Sequence, residues 1–474
     1  MERRECFLLL CRGLSRPTRH ALAGGTRASH TLNPVSAELT TPMSLTLDTL
    51  AIHRPADYAA YGPPWAEWDL LREQAPVFWY ERDDVEPFWA VTRHADIMTV
   101  SAHPRVFING GPRLRLTPKG KTEFLREGLD SFGRARGWDA DEPPDMVFMD
   151  EPRHRRFRRL SSWAYTQGAM REMRAHFRSL AERFTAEYIE ALTRASVQGG
   201  SVDFVDGLAC KLPLAAVGEI LALPPEDWKQ ILVWSKALVG EVEAGDRLPG
   251  ESLGRAAYRN MIEMRHYLDE LIEESRAHGA SRGGLIDRMV HTPVEGKPLS
   301  NQQLNGYLFL LIGAGNDTTR NALAGGVAAL LEHPDQCALL CAEPARLPTA
   351  VEEILRWTSP VASFLRTAVE DFVLAGTRIR AGDTVGLFYP AANRDPRVFV
   401  EPYRFDISRA PNPHLTFGFG AHFCLGTNLA RVELAASLEA LLPLLPRLAL
   451  AGSATRLAQT HVMGYSTLPL RLRD

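Results

Sequence analysis

Apolar residues recur at spacings of three and four through the middle of the chain, with arginines and glutamates between them. Residues 156–195 and 252–278 follow this pattern, which predicts amphipathic helices. Residues 301–332 contain no proline and are rich in leucine and alanine. A helix of that length would cross a whole domain, because each residue adds about 1.5 Å. We therefore expect a long central helix over residues 301–332.

Shorter apolar runs bounded by turn residues predict small sheets near both ends of the chain. Between residues 57 and 106 we expect a helix followed by a strand pair, Val77–Tyr80 and Phe88–Thr92. Nearer the C-terminal end, residues 374–385 predict a hairpin and residues 468–472 a terminal strand. The sequence shows no repeats, low-complexity tracts or linker. One large, mainly α domain with small β-sheets is the expected fold class.

The composition favours a water-soluble globular protein over a nucleic-acid-binding or membrane-anchored one. The 474 residues are 45% hydrophobic and 23% charged, with a formal net charge of -3, so no basic excess indicates a nucleic-acid partner. No apolar run approaches the roughly 20 residues of a membrane helix, and we expect no transmembrane anchor. The six cysteines lack the spacing of a disulfide scaffold or a zinc site. This favours a reducing compartment, and we expect a cytoplasmic monomer.

The first 42 residues differ in composition from the rest of the chain. They carry six arginines and three acidic residues, with serines, threonines and little periodicity. This composition is typical of a targeting presequence or a disordered tail. A start of translation at Met43 is the third interpretation and the one that we favour. The expected division is therefore an N-terminal extension over 1–42, disordered or not translated, and one domain over 43–474.

One cysteine, Cys424, stands in a glycine-rich run just before a predicted helix. The run is Phe417-Gly-Phe-Gly-Ala-His-Phe-Cys-Leu-Gly426. Gly418 and Gly426 allow the backbone to approach a flat ligand, and a helix that begins at about Leu425 would direct N–H groups at the sulfur. These features favour a thiolate metal ligand. The alternative is an ordinary buried cysteine in a turn.

The pattern F-G-x-G-x-H-x-C-x-G in this run resembles the haem-ligand loop of the cytochrome P-450 family at every defining position. The resemblance covers roughly residues 50–474 and implies the cytochrome P-450 fold, a single large domain with a long central helix. It also implies that Cys424 is the axial ligand of a haem b iron, with Phe417, Gly418 and Gly426 in the cofactor-binding loop. Thiolate ligation donates electron density to the iron and favours O–O bond cleavage.

Polar residues interrupt the apolar stripe of the predicted central helix at Ala314-Gly-Asn-Asp-Thr-Thr319. Taken alone, this segment predicts a cap or a solvent-facing polar patch. It also resembles the A-G-x-D-T-T oxygen-activation motif of the same family. The resemblance implies that Thr318 holds a water on the oxygen-binding side of the haem and that Asp317 relays protons. For both to serve one ligand, we expect a local bulge in which the Thr318 hydroxyl releases or shares a backbone hydrogen bond.

Four separate segments supply cationic side chains that could bind the two haem propionates. Asp150-Glu-Pro-Arg-His-Arg-Arg-Phe-Arg158 resembles the family's D-x-P-x-H-x-x-x-R helix start, which assigns His154 and Arg158 to this role. Arg366 and His422 complete the resemblance. Each residue alone would be interpreted as solvated surface. The agreement of all four segments favours haem binding.

Glu353 and Arg356 have the i, i+3 spacing of a helix ion pair, which is usually a plain surface pair. Their positions upstream of the cysteine loop resemble the family's E-x-x-R element, and Arg404 in Pro402-Tyr-Arg-Phe405 resembles its P-x-R-F partner. The resemblance implies a buried cluster of Glu353, Arg356 and Arg404 with a structural role.

The family resemblance also implies a substrate class and redox partners. Gly315–Asn321, Gly420–Gly426 and Asn393–Pro396 resemble the bacterial branch that hydroxylates steroid side chains, methyl-branched lipids, terpenoids and alkanes. Such substrates are hydrophobic small molecules. We expect these apolar pocket walls, for which core packing is the alternative: Phe107, Ile108, Leu310, Gly313, Ala314, Val361–Phe364 and Val462–Tyr465.

The resulting hypothesis is a haem-thiolate monooxygenase that inserts one oxygen atom from O2 into a C–H bond. Electrons would come from NAD(P)H through a reductase and a ferredoxin, because the sequence contains no recognisable flavin or iron-sulfur module. The arginines between Arg153 and Arg159 are either a docking patch for an acidic ferredoxin or a solvated helix face. The alternative functions are a peroxide-driven haem-thiolate enzyme and a non-enzymatic haem-binding sensor.

Overall fold

The structure is a computed structural model that describes residues 45–119, 133–238, 242 and 246–473. The predicted N-terminal extension over 1–42 lies outside these residues. The helices are α1 Pro55–Tyr61, α2 Trp65–Gln74, α3 His94–Ala102, α4 Arg153–Ser162, α5 Gln167–Val197, α6 Lys211–Leu221, α7 Trp228–Leu238, α8 Leu253–His278, α9 Gly284–His291, α10 Asn301–Glu332, α11 Pro334–Ala342, α12 Leu347–Thr358, α13 Tyr389–Ala392 and α14 Thr427–Leu441.

Short strands complete the fold and form four small sheets. The strands are β1 Val77–Arg82, β2 Val85–Val91, β3 Phe107–Ile108, β4 Val202–Asp203, β5 Ser363–Ala368, β6 Phe372–Leu374, β7 Thr377–Ile379, β8 Thr384–Phe388, β9 Leu448–Leu450, β10 Thr455–Arg456, β11 Tyr465–Thr467 and β12 Pro469–Leu472. The main sheet has the order β1-β2-β8-β5-β3, and β4-β12-β9, β10-β11 and β6-β7 form the others. This architecture confirms the prediction of a mainly α protein with small sheets.

The central helix α10 spans the residues predicted for it. Ser300 caps its start, because the Ser300 hydroxyl accepts from the Gln303 amide and the Gln303 side chain accepts from the Ser300 amide. Along its length α10 packs against α6, α8, α12 and α14. A Cβ at Gly326 would come within 2.6 Å of the Ile354 side chain, so the small residue allows α12 to approach closely.

The predicted strands are confirmed near both ends, with one difference. β1 and β2 pair antiparallel, and β12 forms the expected terminal strand. Of the segment predicted as one hairpin over 374–385, only the first part is one, where β6 pairs with β7. β8 instead enters the main sheet between β2 and β5. All five β8 residues are buried, and burial on both faces favours this central position.

In the described part of the chain, no helix combines the length and apolarity that a bilayer crossing requires.

Candidate active site

The cysteine loop folds back on itself just before α14. The Cys424 amide donates to the Phe417 carbonyl at 2.9 Å and closes the loop. Gly418 and Gly420 have φ angles of 71° and 77°. A Cβ at Gly420 would also lie only 2.2 Å from the Ser101 carbonyl oxygen. Both the backbone conformation and the close approach therefore require glycine at this turn.

The Cys424 side chain is exposed, although protein atoms surround it closely. Its accessible surface therefore belongs to an internal space. Burial raises the pKa of the Cys424 thiol, and the Gly426 amide, Arg158 and Arg431 oppose this change. These three groups favour negative charge on the sulfur. A coordinated metal cation would complete the effect, because a metal deprotonates a bound thiol outright.

The structure brings together the four cationic residues that the sequence proposes for propionate binding. The rings of His154 and His422 lie 4.0 Å apart between centroids, and Arg366 and His422 line one small cavity. Burial, followed by the charges of His154, Arg366 and Arg158, lowers the pKa of His422 to about 2. His422 is therefore neutral and can still donate from a ring nitrogen. Burial also lowers the pKa of His154 and of Arg158.

These residues fit a haem. Cys424 offers a sulfur ligand, and the cluster of His154, Arg158, Arg366 and His422 concentrates hydrogen-bond donors that suit two carboxylates. On the central helix, Ala314 is exposed although Asn316 and Asp317 are buried. The exposed Ala314 surface leaves room for a flat group against α10. The donor set and the accessible surfaces therefore agree with the cofactor that the sequence resemblance implies.

The acid and the alcohol of the central helix face different surroundings. Thr318 is half-buried, and its hydroxyl donates to the Ala314 carbonyl at 2.9 Å. This confirms the prediction that the hydroxyl shares a backbone hydrogen bond. The predicted bulge is wrong, because α10 continues as a regular α-helix through the motif. A threonine hydroxyl can donate to the carbonyl four residues earlier without breaking the helix.

Asp317 is buried in contacts that the sequence did not predict. Its carboxylate lies 3.3 Å from the guanidinium of Arg320, and both side chains are buried. The Asn321 amide donates to the Asp317 carbonyl at 2.8 Å, while its side-chain oxygen accepts from the Tyr465 amide. The i, i+3 spacing of Asp317 and Arg320 was the available signal. These contacts connect the acid of the motif to the C-terminal β-structure.

A second buried acid, Glu433 on α14, also escaped the sequence analysis. It is 1% exposed and interacts with Thr319 of the central helix. Burial raises the pKa of Glu433 to about 8, and the contact with Thr319 offsets this only in part. Glu433 is therefore mainly neutral at pH 7. Its position in a helix of mixed polar and apolar residues gave no signal of burial.

Glu433 should make stability depend on pH. Its folded-state pKa lies above the ordinary value of 4.5, so the folded protein holds a proton that the unfolded chain releases. The free energy of unfolding should therefore fall between pH 4.5 and 8, by about 1 kcal/mol per pH unit. Glu433→Gln should flatten this slope in chemical unfolding measured across that range. The exposed control Glu190→Gln should leave it unchanged, and parallel profiles for wild type and Glu433→Gln would contradict this expectation.

The predicted buried cluster around Glu353 is present, but Arg409 takes the place of Arg404. Glu353 and Arg356 form a fully buried ion pair at 2.7 Å. The prediction for Arg404 is wrong, because its side chain is exposed and pairs with Glu401; only its carbonyl accepts from Arg356. Arg409 supplies the second guanidinium, 3.2 Å from the Glu353 carboxylate. Glu353 is thus buried with two guanidiniums and receives two further hydrogen bonds, from the Asp406 amide and the Asn412 side chain.

Comparisons with known proteins agree with this fold. The family pattern described as Cytochrome P450 matches residues 247–444. The chain is 33% identical over 391 residues to the steroid C26-monooxygenase of Mycobacterium tuberculosis, covering 80% of this chain and 82% of the relative. It is 33% identical over 408 residues to a methyl-branched lipid omega-hydroxylase of the same organism, covering 84% and 89%.

A solved structure shares the fold over nearly the whole chain. A Mycobacterium marinum cytochrome P450 in complex with pseudoionone matches with a TM-score of 0.78 and 31% identity, covering 91% of this chain and 100% of that one. Fold, cysteine loop and cationic cluster together define a haem-thiolate oxidoreductase. The chain belongs to the cytochrome P450 family. It is a cytochrome P450 monooxygenase of the bacterial branch that contains these relatives, and its cofactor is a cysteine-ligated haem iron.

Proposed function

We propose that this monooxygenase inserts one oxygen atom from O2 into a C–H bond of a steroid side chain, a terpenoid, a branched lipid or an alkane. One observation carries the proposal. Cys424 is accessible from an internal space at the start of α14, with the Gly426 amide and Arg158 favouring its thiolate. In this reaction the substrate, O2, two electrons and two protons yield the alcohol and one water molecule.

In the proposed arrangement Cys424 would bind the haem iron, and the loop that contains Phe417, Gly418 and Gly426 would hold the sulfur in place. His154, Arg158, Arg366 and His422 would donate hydrogen bonds to the propionates. When bound, the haem supplies the redox chemistry that activates oxygen. The closeness of His154 to His422 supports this assignment, since neutral imidazoles can share an anion that two guanidiniums attract.

The protons consumed in the reaction need a route through this chain. We propose that the Thr318 hydroxyl holds a water molecule on the substrate side and that Asp317 transfers protons to it. The half-buried Thr318 hydroxyl and the buried carboxylate of Asp317 on the same helical turn support the proposal. The ion pair with Arg320 keeps the Asp317 carboxylate in position. A hydroxyl that already donates to Ala314 remains able to accept from water.

Thr318→Ala should uncouple electron consumption from product formation. Without the hydroxyl the water has no fixed position, so proton delivery becomes unselective and reduced oxygen escapes as peroxide. We expect the ratio of product formed to NAD(P)H consumed to fall about tenfold or more, measured together with hydrogen peroxide. Thr318→Ser keeps the hydroxyl and should retain most of the coupling. Equal coupling in the alanine and wild-type enzymes would reject this role.

The accessible surfaces support a hydrophobic substrate. Of the pocket walls expected from the sequence, Ile108, Leu310 and Phe364 are half-buried and Ala314 is exposed. Other expected walls belong to the core: Phe107 packs against Phe372, and Ala362, Ser363 and Met463 are buried. The substrates named for the two mycobacterial relatives, a steroid and a methyl-branched lipid, fit such walls. Fewer of the expected wall residues are therefore accessible to a substrate than the sequence predicts.

We further propose a ferredoxin and its reductase as the electron source. The arginines on α4 support a ferredoxin docking site less strongly than the sequence suggests, because two of them form ion pairs within the chain. Arg155 pairs with Glu151 at 2.9 Å, and Arg156 pairs with Glu295 at 2.7 Å. Arg159 is exposed on the same helix. A docking patch on α4 would therefore be centred on Arg159, with neighbouring charges already balanced within the chain.

Two measurements test the proposed function. The first is the absorption spectrum of the reduced, carbon-monoxide-bound protein, for which we expect the strongly red-shifted Soret band of thiolate ligation. The second is product formation from a panel of sterols, terpenes and fatty acids, with NAD(P)H, reductase and ferredoxin or with hydrogen peroxide alone. Turnover by peroxide alone would indicate the peroxide-driven alternative. The red-shifted Soret band without product formation by either route would indicate a haem sensor.

A further inference from the structure

An arginine lies in the part of the protein where the sequence predicts apolar pocket walls. The segment that carries Arg115 runs beside β5, because the Leu365 amide donates to the Leu114 carbonyl at 2.9 Å. Leu114 is buried, whereas the adjacent Arg115 is exposed. Protein nevertheless surrounds the guanidinium, and burial lowers the pKa of Arg115. Like Cys424, Arg115 therefore exposes its side chain to an internal space.

His461 links Arg115 to the expected substrate walls. Its ring packs edge-on against Phe364 of β5 at 4.9 Å between centroids, and its Nδ1 lies 2.9 Å from the Ser363 carbonyl oxygen. The next residue, Val462, forms a β-bridge with Val361. Burial and then the Arg115 charge lower the pKa of His461. His461 is therefore neutral and adds no second positive charge.

The acidic group nearest to Arg115 in electrostatic terms, Asp145, forms no close ion pair with it. Asp145 is within electrostatic reach, but its Oδ1 accepts from the Val147 amide at 2.7 Å. Asp145 also interacts with Arg265, so two guanidiniums share this carboxylate. Within the described residues, Arg115 forms no ion pair within 4 Å. Enclosing an unpaired cation is costly unless a ligand supplies its partner.

We propose that Arg115 binds the carboxylate of an amphiphilic substrate with a hydrophobic body. This inference rests on the proposed function and narrows its substrate class from neutral hydrocarbons to hydrophobic acids. A guanidinium matches a carboxylate through two parallel hydrogen bonds. The other polar groups of the wall are neutral or already bonded, so Arg115 determines which end of the substrate enters this region.

Matched ligand pairs test the anchor. We would titrate the ferric holoenzyme with a methyl-branched fatty acid, a steroid side-chain acid and the methyl ester of each, and follow the spin shift. At least one acid should bind about 10- to 100-fold more tightly than its ester. Arg115→Leu should remove this preference while ester affinity, haem content and the carbon monoxide spectrum stay unchanged. Arg115→Lys should restore part of the preference.

The control variant is Arg105→Gln, which removes one exposed positive charge near the same segment. It should keep the full preference for the acid, because its charge is screened by solvent. Equal binding of acids and esters by the wild-type holoenzyme would overturn the proposal, as would an unchanged preference in Arg115→Leu. Loss of haem from Arg115→Leu would assign Arg115 to the cofactor instead. Failure of the proposed function would be separate, because the wild type itself would then lack the thiolate spectrum.

Discussion

Cys424→Ala should abolish monooxygenase activity, with turnover at least about a thousandfold below that of wild type. The Cys424 sulfur has a charge-stabilising amide and two nearby guanidiniums, which suit it to a thiolate ligand. Alanine removes the thiolate that donates electron density to the iron and favours O–O bond cleavage. The measurement combines product formation with the carbon monoxide spectrum, in which the red-shifted Soret band should disappear.

The matched control is Cys341→Ala. Cys341 is half-buried on α11, where its thiol donates to the Leu442 carbonyl at 3.6 Å. This variant removes the same thiol from a helix outside the candidate site, so the red-shifted band and turnover should persist. A thiolate-type spectrum retained by Cys424→Ala would contradict the ligand assignment. Loss of the band in both variants would indicate general destabilisation instead.

Local signals explain why the sequence predicted the central helix and the cysteine loop well. Ser300 and Gln303 form a capping box that fixes the start of α10, and Pro334 follows its end. In the loop, positive φ angles at Gly418 and Gly420 favour glycine. Each signal depends on neighbours in the sequence or on backbone conformation.

Long-range partners explain the failures. Arg404 and Arg409 have the same chemistry and lie five residues apart, so motif spacing could not show which side chain turns toward Glu353. That choice depends on the path of the segment after β8. Glu433 depends on α14 packing against the central helix at Thr319. These contacts join segments about fifty to more than a hundred residues apart, and helical periodicity contains no information about them.

Long-range contacts also explain why the sequence did not predict a charged side chain in the substrate region. Arg115 stands in a short Arg-Leu-Arg-Leu run that resembles an exposed loop. Its nearest arginine, Arg113, donates to the Pro87 carbonyl at 2.9 Å and to the Thr384 hydroxyl at 2.8 Å. The Arg113 guanidinium is thus hydrogen-bonded within the fold, whereas the Arg115 guanidinium is accessible from an internal space. The difference between the two arginines follows from the way this segment runs beside β5.

Glu353→Gln should destabilise the folded protein by about 3–5 kcal/mol, because it leaves two buried guanidiniums without a counter-charge. Glu353 is fully buried and receives hydrogen bonds from Arg356, Arg409, the Asp406 amide and Asn412. Glutamine preserves the shape but removes the charge and one acceptor oxygen. Urea unfolding of the holoenzyme measures the loss, and haem content should fall with it, because Arg356 also binds the Pro402 and Asn393 carbonyls.

Glu401→Gln provides the matched control for this cluster. Glu401 pairs with Arg404 at 3.1 Å, and both side chains are more than half exposed. Solvent screens such a pair, so its loss should leave the free energy of unfolding nearly unchanged. A large loss of unfolding free energy in Glu401→Gln, together with a small loss in Glu353→Gln, would show that Arg404, not Arg409, stabilises this cluster. The opposite result would show that Glu353, Arg356 and Arg409 support the cysteine loop. When one of these buried charges is removed, its partners are left without a counter-charge and out of reach of water.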